Sequence, residues 1–122
     1  MSGTALARGA LALAVVFTVA GAATGHAFLD RAEPRVGGRV RTAPAQVTLW
    51  FTERLEPAYS RLQVMNEAGL RVDKDDGGVV GDGRQLRISL TTVPPGTYRV
   101  AWRVLSVDTH VTEGDFTFRV AP

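Results

Sequence analysis

Apolar and polar residues alternate along several stretches of the chain. Leu62 and Val64, for instance, alternate with Arg61, Gln63 and Met65. Because successive side chains of a β-strand point to opposite faces, this pattern predicts strands that bury one face. The stretches that share the pattern are 46–52, 61–65, 85–90, 97–106 and 115–120.

The segments between these predicted strands are rich in turn residues. Proline, glycine and aspartate recur there, as in 75–78, 81–83 and 94–96, and no segment after residue 25 has a convincing helical repeat. Such clusters are typical of turns between short strands. The spacing predicts an all-β domain, a small antiparallel Greek-key β-barrel or sandwich of about seven strands.

One of these segments, 74–83, is rich in aspartate and glycine and invites comparison with a calcium-binding loop. It lacks the ligand order of an EF-hand and the distal bidentate glutamate. We therefore predict a solvated hairpin loop there.

The first 25 residues differ in kind from the rest. Arg8 supplies a positive charge, residues 10–20 form an uncharged apolar run, and small residues follow. The run is shorter than the roughly 20 residues that cross a bilayer, so a cleaved secretory signal peptide is predicted. Ala23 and Gly25 at positions −3 and −1 predict cleavage between residues 25 and 26. A cut after Ala27, which would remove His26, is the alternative.

Composition narrows the function further. The chain of 122 residues suits one domain, which after cleavage would comprise residues 26–122. Its net charge of +2 comes without a basic tract, so no nucleic-acid partner is expected. The chain has no cysteine, which excludes disulfides and thiolate ligands.

The two histidines of the chain are the candidates for metal chemistry. Asp108 and His110 continue the parity of the strand predicted at 97–106. If that strand continues past Ser106, both side chains leave the same face, with their α-carbons about 6.5 to 7 Å apart. Asp-x-His also occurs by chance, and on its own it is more often a turn with a solvated histidine.

Cleavage before His26 would add further metal ligands to the pair Asp108 and His110. A histidine at a free amino terminus can offer its α-amine and its Nδ1 to one ion. With the imidazole of His110 this makes three nitrogens, and Asp108 can add an oxygen. Such a donor set, without sulfur, suits tetragonal Cu(II), and zinc in a tetrahedral arrangement is the alternative.

Several short motifs follow one another after the predicted cleavage point: His26-Ala27-Phe28-Leu29, Ala32-Glu33-Pro34 with Gly37-Gly38, Leu49-Trp50-Phe51-Thr52-Glu53, Pro95-Gly96-Thr97-Tyr98, Trp102-Arg103-Val104 and Ser106-Val107-Asp108-Thr109-His110. In this order they resemble the CopC family of periplasmic copper-resistance proteins. The specific part of the resemblance is the amino-terminal histidine combined with the late Asp-x-His.

The resemblance implies a cupredoxin-like β-barrel that holds one Cu(II) ion in the periplasm or another extracytoplasmic space. It implies a carrier, chaperone or buffer in copper resistance or uptake, and no enzyme. By motif match, His26, Asp108 and His110 would hold the metal. Glu53 matches the acid of the family's Phe-Ser/Thr-Glu motif, and it is either a weak or supporting group at the metal or a solvated charge. Met65 is the only methionine after residue 25, so the methionine-rich Cu(I) site of some members is not expected.

Two other functions stay open beside this one. Copper monooxygenases that attack polysaccharides also use an amino-terminal histidine chelate, although their sandwich is larger. A metal-free immunoglobulin-like module for protein contacts would use the same fold. If the protein is a copper carrier, the candidate partner is a membrane copper transporter of the CopD type. The protein is expected to be a monomer, without a membrane anchor after cleavage.

Overall fold

The structure is a computed structural model that describes residues 27–122. Within this range the chain forms eight strands and one short 3-10 helix, Pro57–Tyr59. The strands are β1 Leu29–Glu33, β2 Arg39–Val40, β3 Gln46–Phe51, β4 Arg61–Met65, β5 Gly78–Val80, β6 Gln85–Ser89, β7 Gly96–Leu105 and β8 Val111–Val120.

The strands form two four-stranded sheets. One has the order β1-β3-β6-β5, and the other has the order β2-β8-β7-β4. All neighbours are antiparallel except β2, which runs parallel to β8. The predicted all-β fold is confirmed as a sandwich, with eight strands in the described range instead of about seven.

The alternating stretches of the sequence became β3, β4, β6, β7 and β8, although β8 begins at Val111, four residues earlier than predicted. The prediction of a loop throughout 74–83 is wrong in part, because β5 lies inside it. Val79 pairs with Leu86 of β6 and packs against the core. This apolar contact stabilises a strand in an otherwise glycine-rich segment.

The core lies between the two sheets and consists of the apolar residues that the alternation places inward. Val47, Leu49, Leu86, Val100 and Val104 are all completely buried. Burial of this kind is the main favourable term in folding. Tyr98 packs there as well, since its ring stacks on Phe118 and its hydroxyl donates a hydrogen bond to the Pro94 carbonyl at 2.5 Å.

The longest feature of the fold is the hairpin of β7 and β8. These strands pair continuously from Gly96 opposite Val120 to Leu105 opposite Val111. The loop 106–110 at the tip therefore stands on a rigid base.

In the described part of the chain, no helix is long and apolar enough to cross a membrane.

Candidate metal centre

The tip of the β7–β8 hairpin is a tight loop and not an extension of β7. The Thr109 N–H donates to the Ser106 carbonyl at 2.8 Å, and the Ser106 N–H donates to the His110 carbonyl at 3.0 Å. Thr109 has φ = 73°, a left-handed conformation that is uncommon for a β-branched residue. The condition that the strand continues past Ser106 is not met, because β7 ends at Leu105 and this turn reverses the chain directly after it.

The turn nevertheless brings the two predicted side chains together. His110 Nδ1 lies 3.3 Å from Asp108 Oδ1. The His110 side chain is 51% exposed and that of Asp108 is 42% exposed. An imidazole and a carboxylate thus share one accessible point on the surface, which a metal ion can reach.

Ser106 organises this loop from beneath. It is completely buried, and its hydroxyl donates a hydrogen bond to Asp108 Oδ1. The Ser106 hydroxyl oxygen in turn accepts a hydrogen bond from the His110 backbone N–H at 3.3 Å. The Ser106 hydrogen bond, helped by the nearby His110, lowers the pKa of the Asp108 carboxyl. The carboxylate is therefore charged at neutral pH, as cation binding requires.

The role of Ser106 was not predicted, although the sequence contains a signal for it. Serine and aspartate side chains often bond to backbone groups a few residues away and so stabilise turns. A serine two residues before the aspartate of an Asp-x-His pair is placed for this role. The alternation pattern hid it, because it assigned Ser106 to the strand.

The first described residues lie beside the start of β8. Ala27 is only 1% exposed, and its carbonyl accepts a hydrogen bond from Thr112 Oγ1 at 2.7 Å. The next residue, Phe28, is bonded to the loop that follows β3, because its N–H donates to Thr52 Oγ1 at 3.0 Å. Thr112 follows His110 by two positions, so the amino-terminal segment is fastened close to the hairpin tip. His26 lies outside the described residues, and its role as a ligand stays a prediction.

Glu53 lies on the loop that follows β3, between these two parts of the site. The preceding residue, Thr52, bonds to Phe28, and the carbonyl of the following residue, Arg54, accepts the Val107 N–H at 3.0 Å. Glu53 is half-buried. In residues 27–122 no three histidine, cysteine, aspartate or glutamate side chains cluster as a metal site. The structure therefore brings together Asp108 and His110, while the part assigned to Glu53 stays a prediction.

Fold and site together define a small two-sheet β-sandwich with an exposed imidazole–carboxylate pair at one hairpin tip and its amino-terminal segment fastened alongside. The CopC domain family matches residues 29–121 of the chain. The chain belongs to the CopC family.

Similar proteins agree with this assignment. The chain is 34% identical to protein YobA of Escherichia coli K12 over 119 residues, which are 93% of each chain. It is 32% identical to copper resistance protein C of Xanthomonas campestris pv. juglandis, over 90% of this chain and 94% of that one. The crystal structure of CopC from Methylosinus trichosporium OB3b superposes with a TM-score of 0.70 and 34% identity, over 80% of this chain and 95% of that one.

Proposed function

We propose that this chain is an extracytoplasmic Cu(II)-binding protein that carries or buffers one copper ion without catalysing a reaction. Membership of the CopC family and the similarity to a copper resistance protein support a role in copper handling. The observation that carries the proposal is the Asp108–His110 pair at the hairpin tip, with Ala27 fastened beside it. A membrane copper transporter of the CopD type is the partner with which it would exchange the ion.

The proposed ligands are the α-amine and imidazole of His26, the imidazole of His110 and the carboxylate of Asp108. Three nitrogens and one oxygen suit Cu(II), which also heads the affinity order of divalent first-row metals. With Nδ1–H of His110 donating to Asp108, Nε2 carries the lone pair that binds a metal. In that tautomer Asp108 fixes the orientation of the His110 ring. In the other tautomer Nδ1 carries the lone pair, and the Asp108 carboxylate lies close enough to Nδ1 to bind the same ion.

The burial of Ala27 supports cleavage between residues 25 and 26. A chain that began at Phe28 would lose a residue that is 1% exposed in the core, together with the hydrogen bond to Thr112. A chain that began at His26 keeps both contacts. It also places a free amine one residue from Ala27, next to the hairpin tip.

Protonation governs uptake and release in this proposal. Copper must displace the proton of an α-amine, whose ordinary pKa is about 7.7 to 8.0, and the imidazole ligands bind only in their neutral form. Binding should therefore weaken as the pH falls through these values. An acidic surrounding would favour release without any change in the fold.

The proposal is tested on the exported protein, whose amino terminus is first sequenced. Cu(II) titration and EPR then compare it with a variant that carries one additional glycine before His26. The extension moves the α-amine away from the imidazole, so we expect weaker binding and one nitrogen fewer in the spectrum. A glycine added after Pro122 is the matched control and should change nothing. Equal binding by all three proteins would contradict the amino-terminal chelate.

A further inference from the structure

A charged surface lies at the end of the β7–β8 hairpin that is farthest from its tip. Its four exposed arginines lie on β2, on the end of β8 beside it and in the segments that flank β2: Arg35, Arg39, Arg41 and Arg119. We call this surface the arginine edge, because β2 is the outermost strand of its sheet. Arg119 follows His110 by nine positions, which corresponds to about 30 Å along a strand.

The pairing of β2 with β8 places two of these guanidiniums side by side. Arg39 stands opposite Arg119, and the next pair, Val40 and Val120, packs into the core. Because successive side chains of a strand alternate between its faces, both arginines lie on the outer face of the sheet, where both are exposed. The Arg119 N–H donates to the Gly38 carbonyl at 2.9 Å and fixes this register.

A tight turn brings the segment before β2 to the same place. The Gly38 N–H donates to the Arg35 carbonyl at 2.8 Å, and the Gly37 N–H donates to the Thr117 carbonyl of β8 at 2.8 Å. Gly37 has φ = 69°, a conformation that glycine adopts without strain. The turn is therefore fastened to β8, and Arg35 lies at the same edge as the paired arginines. Arg41 follows directly after β2.

The arginine edge carries positive charge that no carboxylate of the described residues neutralises. Within residues 27–122, none of its four guanidiniums makes an ion pair or a side-chain hydrogen bond. The sequence explains this, because no acidic residue occurs between Glu33 and Glu53 or in 116–122. Asp115, the last acidic residue of β8, lies 3.1 Å from Arg99. Such a concentration of one charge attracts an anionic partner.

An apolar side chain stands among these charges. Val36, in the same turn as Arg35, is 59% exposed. A single exposed valine is ordinary on a protein surface. Next to basic side chains, however, it suits a partner that presents negative groups above an apolar layer. An acidic segment of a soluble protein would engage the arginines and would have no use for the valine.

We propose that the arginine edge binds the surface of a membrane that contains anionic phospholipids. The guanidiniums would bind lipid phosphates through charge-assisted hydrogen bonds, and Val36 would enter the boundary between headgroups and acyl chains. The hairpin tip, about 30 Å away, stays accessible. This binding is peripheral and reversible, and it needs neither copper nor the residues of the hairpin tip.

The test measures sedimentation of the copper-free, exported protein with lipid vesicles. The exported form is used because an uncleaved leader would itself bind lipid. Vesicles that contain phosphatidylglycerol should bind the protein, and vesicles of phosphatidylcholine alone should not. Because salt screens the attraction, raising NaCl from about 0.05 M to about 0.5 M should release most of the bound protein.

Two double variants with the same net charge assign the effect to the arginine edge. Arg39→Gln combined with Arg119→Gln should weaken binding about 20-fold, since each arginine near an anionic membrane contributes a factor of about five. Arg61→Gln combined with Arg103→Gln is the matched control, because these two arginines also stand opposite each other on the outer face. It should change the affinity less than about twofold.

A third variant tests the apolar contact and separates a membrane from an acidic protein. Val36→Ser should weaken binding to phosphatidylglycerol vesicles about twofold or more, because it removes apolar surface from the membrane boundary. Poly-glutamate serves as the probe for an acidic protein segment. If poly-glutamate binds while the vesicles do not, the partner is an acidic protein and the proposal is overturned. It is also overturned if phosphatidylcholine vesicles bind equally well, or if both double variants weaken binding to the same extent.

Discussion

The strands of the β7–β8 hairpin and the loop at its tip differ in what determines their structure. Along the strands, inward residues such as Val100 and Phe118 are buried in the core, and their placement follows from alternation alone. At the tip, Asp108 and His110 are exposed, and the hydroxyl of Ser106 determines the geometry. A single hairpin thus contains strands that stabilise the fold and a tip that carries the proposed metal ligands. Mutations in the two parts should therefore affect different measurements.

The largest effect is expected in the strands. Phe118→Ala removes a ring that is 1% exposed and that stacks on Tyr98, so the free energy of unfolding should fall by about 3 to 5 kcal/mol. Copper affinity of the molecules that stay folded should hardly change. Denaturant unfolding and Cu(II) titration under native conditions measure the two quantities. The exposed neighbour Thr117→Ala is the control, and a large loss of copper affinity by folded Phe118→Ala would show that the strands also determine copper binding.

The next effect concerns the tip. His110→Ala removes a proposed ligand from an exposed loop, so Cu(II) affinity should fall about 100-fold, or about 2.7 kcal/mol of binding free energy. The melting temperature of the copper-free protein should stay within about 2 °C of the wild type, as for other surface substitutions. EPR should show one nitrogen fewer. Val107→Ala, an exposed change in the same loop, should do neither, and a full nitrogen count in His110→Ala would remove His110 from the site.

Ser106 joins the two regions, because it is buried like the core and bonded to the tip. Ser106→Ala should weaken Cu(II) binding about 10- to 100-fold, the usual effect of losing a hydrogen bond to a metal ligand. Asp108→Asn supplies the test of mechanism. If Ser106 acts through Asp108, the double variant should bind copper no more weakly than Asp108→Asn alone. Additive losses would show that Ser106 acts through the backbone of the turn instead.

The smallest effect lies away from both regions and serves as a reference. The Asp76 carboxylate accepts a hydrogen bond from the Ser89 N–H at 2.8 Å, and bonds from Ser89 lower the pKa of Asp76. A lowered carboxyl pKa contributes stability above the ordinary pKa near 3.9, and this contribution disappears as the pH falls through the folded value. Asp76→Asn should therefore slightly reduce the difference in unfolding free energy between pH 7 and pH 2. An unchanged difference would contradict this account.

The strands could be predicted from the sequence because their apolar residues must reach one core. Leu62, Val64, Leu86 and Ile88 are buried as the alternation requires. β2 could not be predicted, because two residues, Arg39 and Val40, contain no repeat and depend on pairing with β8. For β5 the local glycines and aspartates suggested a loop, and only contact with β6 makes it a strand.

The proximity of Asp108 and His110 could be predicted from the sequence, but the shape of the loop that joins them could not. Alternation would have placed Asp108 and His110 on one face only if the strand continued past Ser106, and the two side chains meet across a turn instead. The left-handed conformation of Thr109 and the buried hydroxyl of Ser106 produce that turn, and neither follows from a period of two. The spacing of Asp108 and His110 in the sequence thus indicated that these two side chains lie close together. The hydrogen bonds of Ser106 determine the geometry in which they do so.

The hydrogen bond between Thr112 and Ala27 joins residues that are 85 positions apart. It raises the effective concentration of the amino-terminal segment at the hairpin tip, because it holds these two distant parts of one chain next to each other. The proposed metal site would then open when this hydrogen bond and the bond between Phe28 and Thr52 are broken. A partner that pulls Ala27 from its place beside Thr112 could collect the ion while the β7–β8 hairpin stays folded.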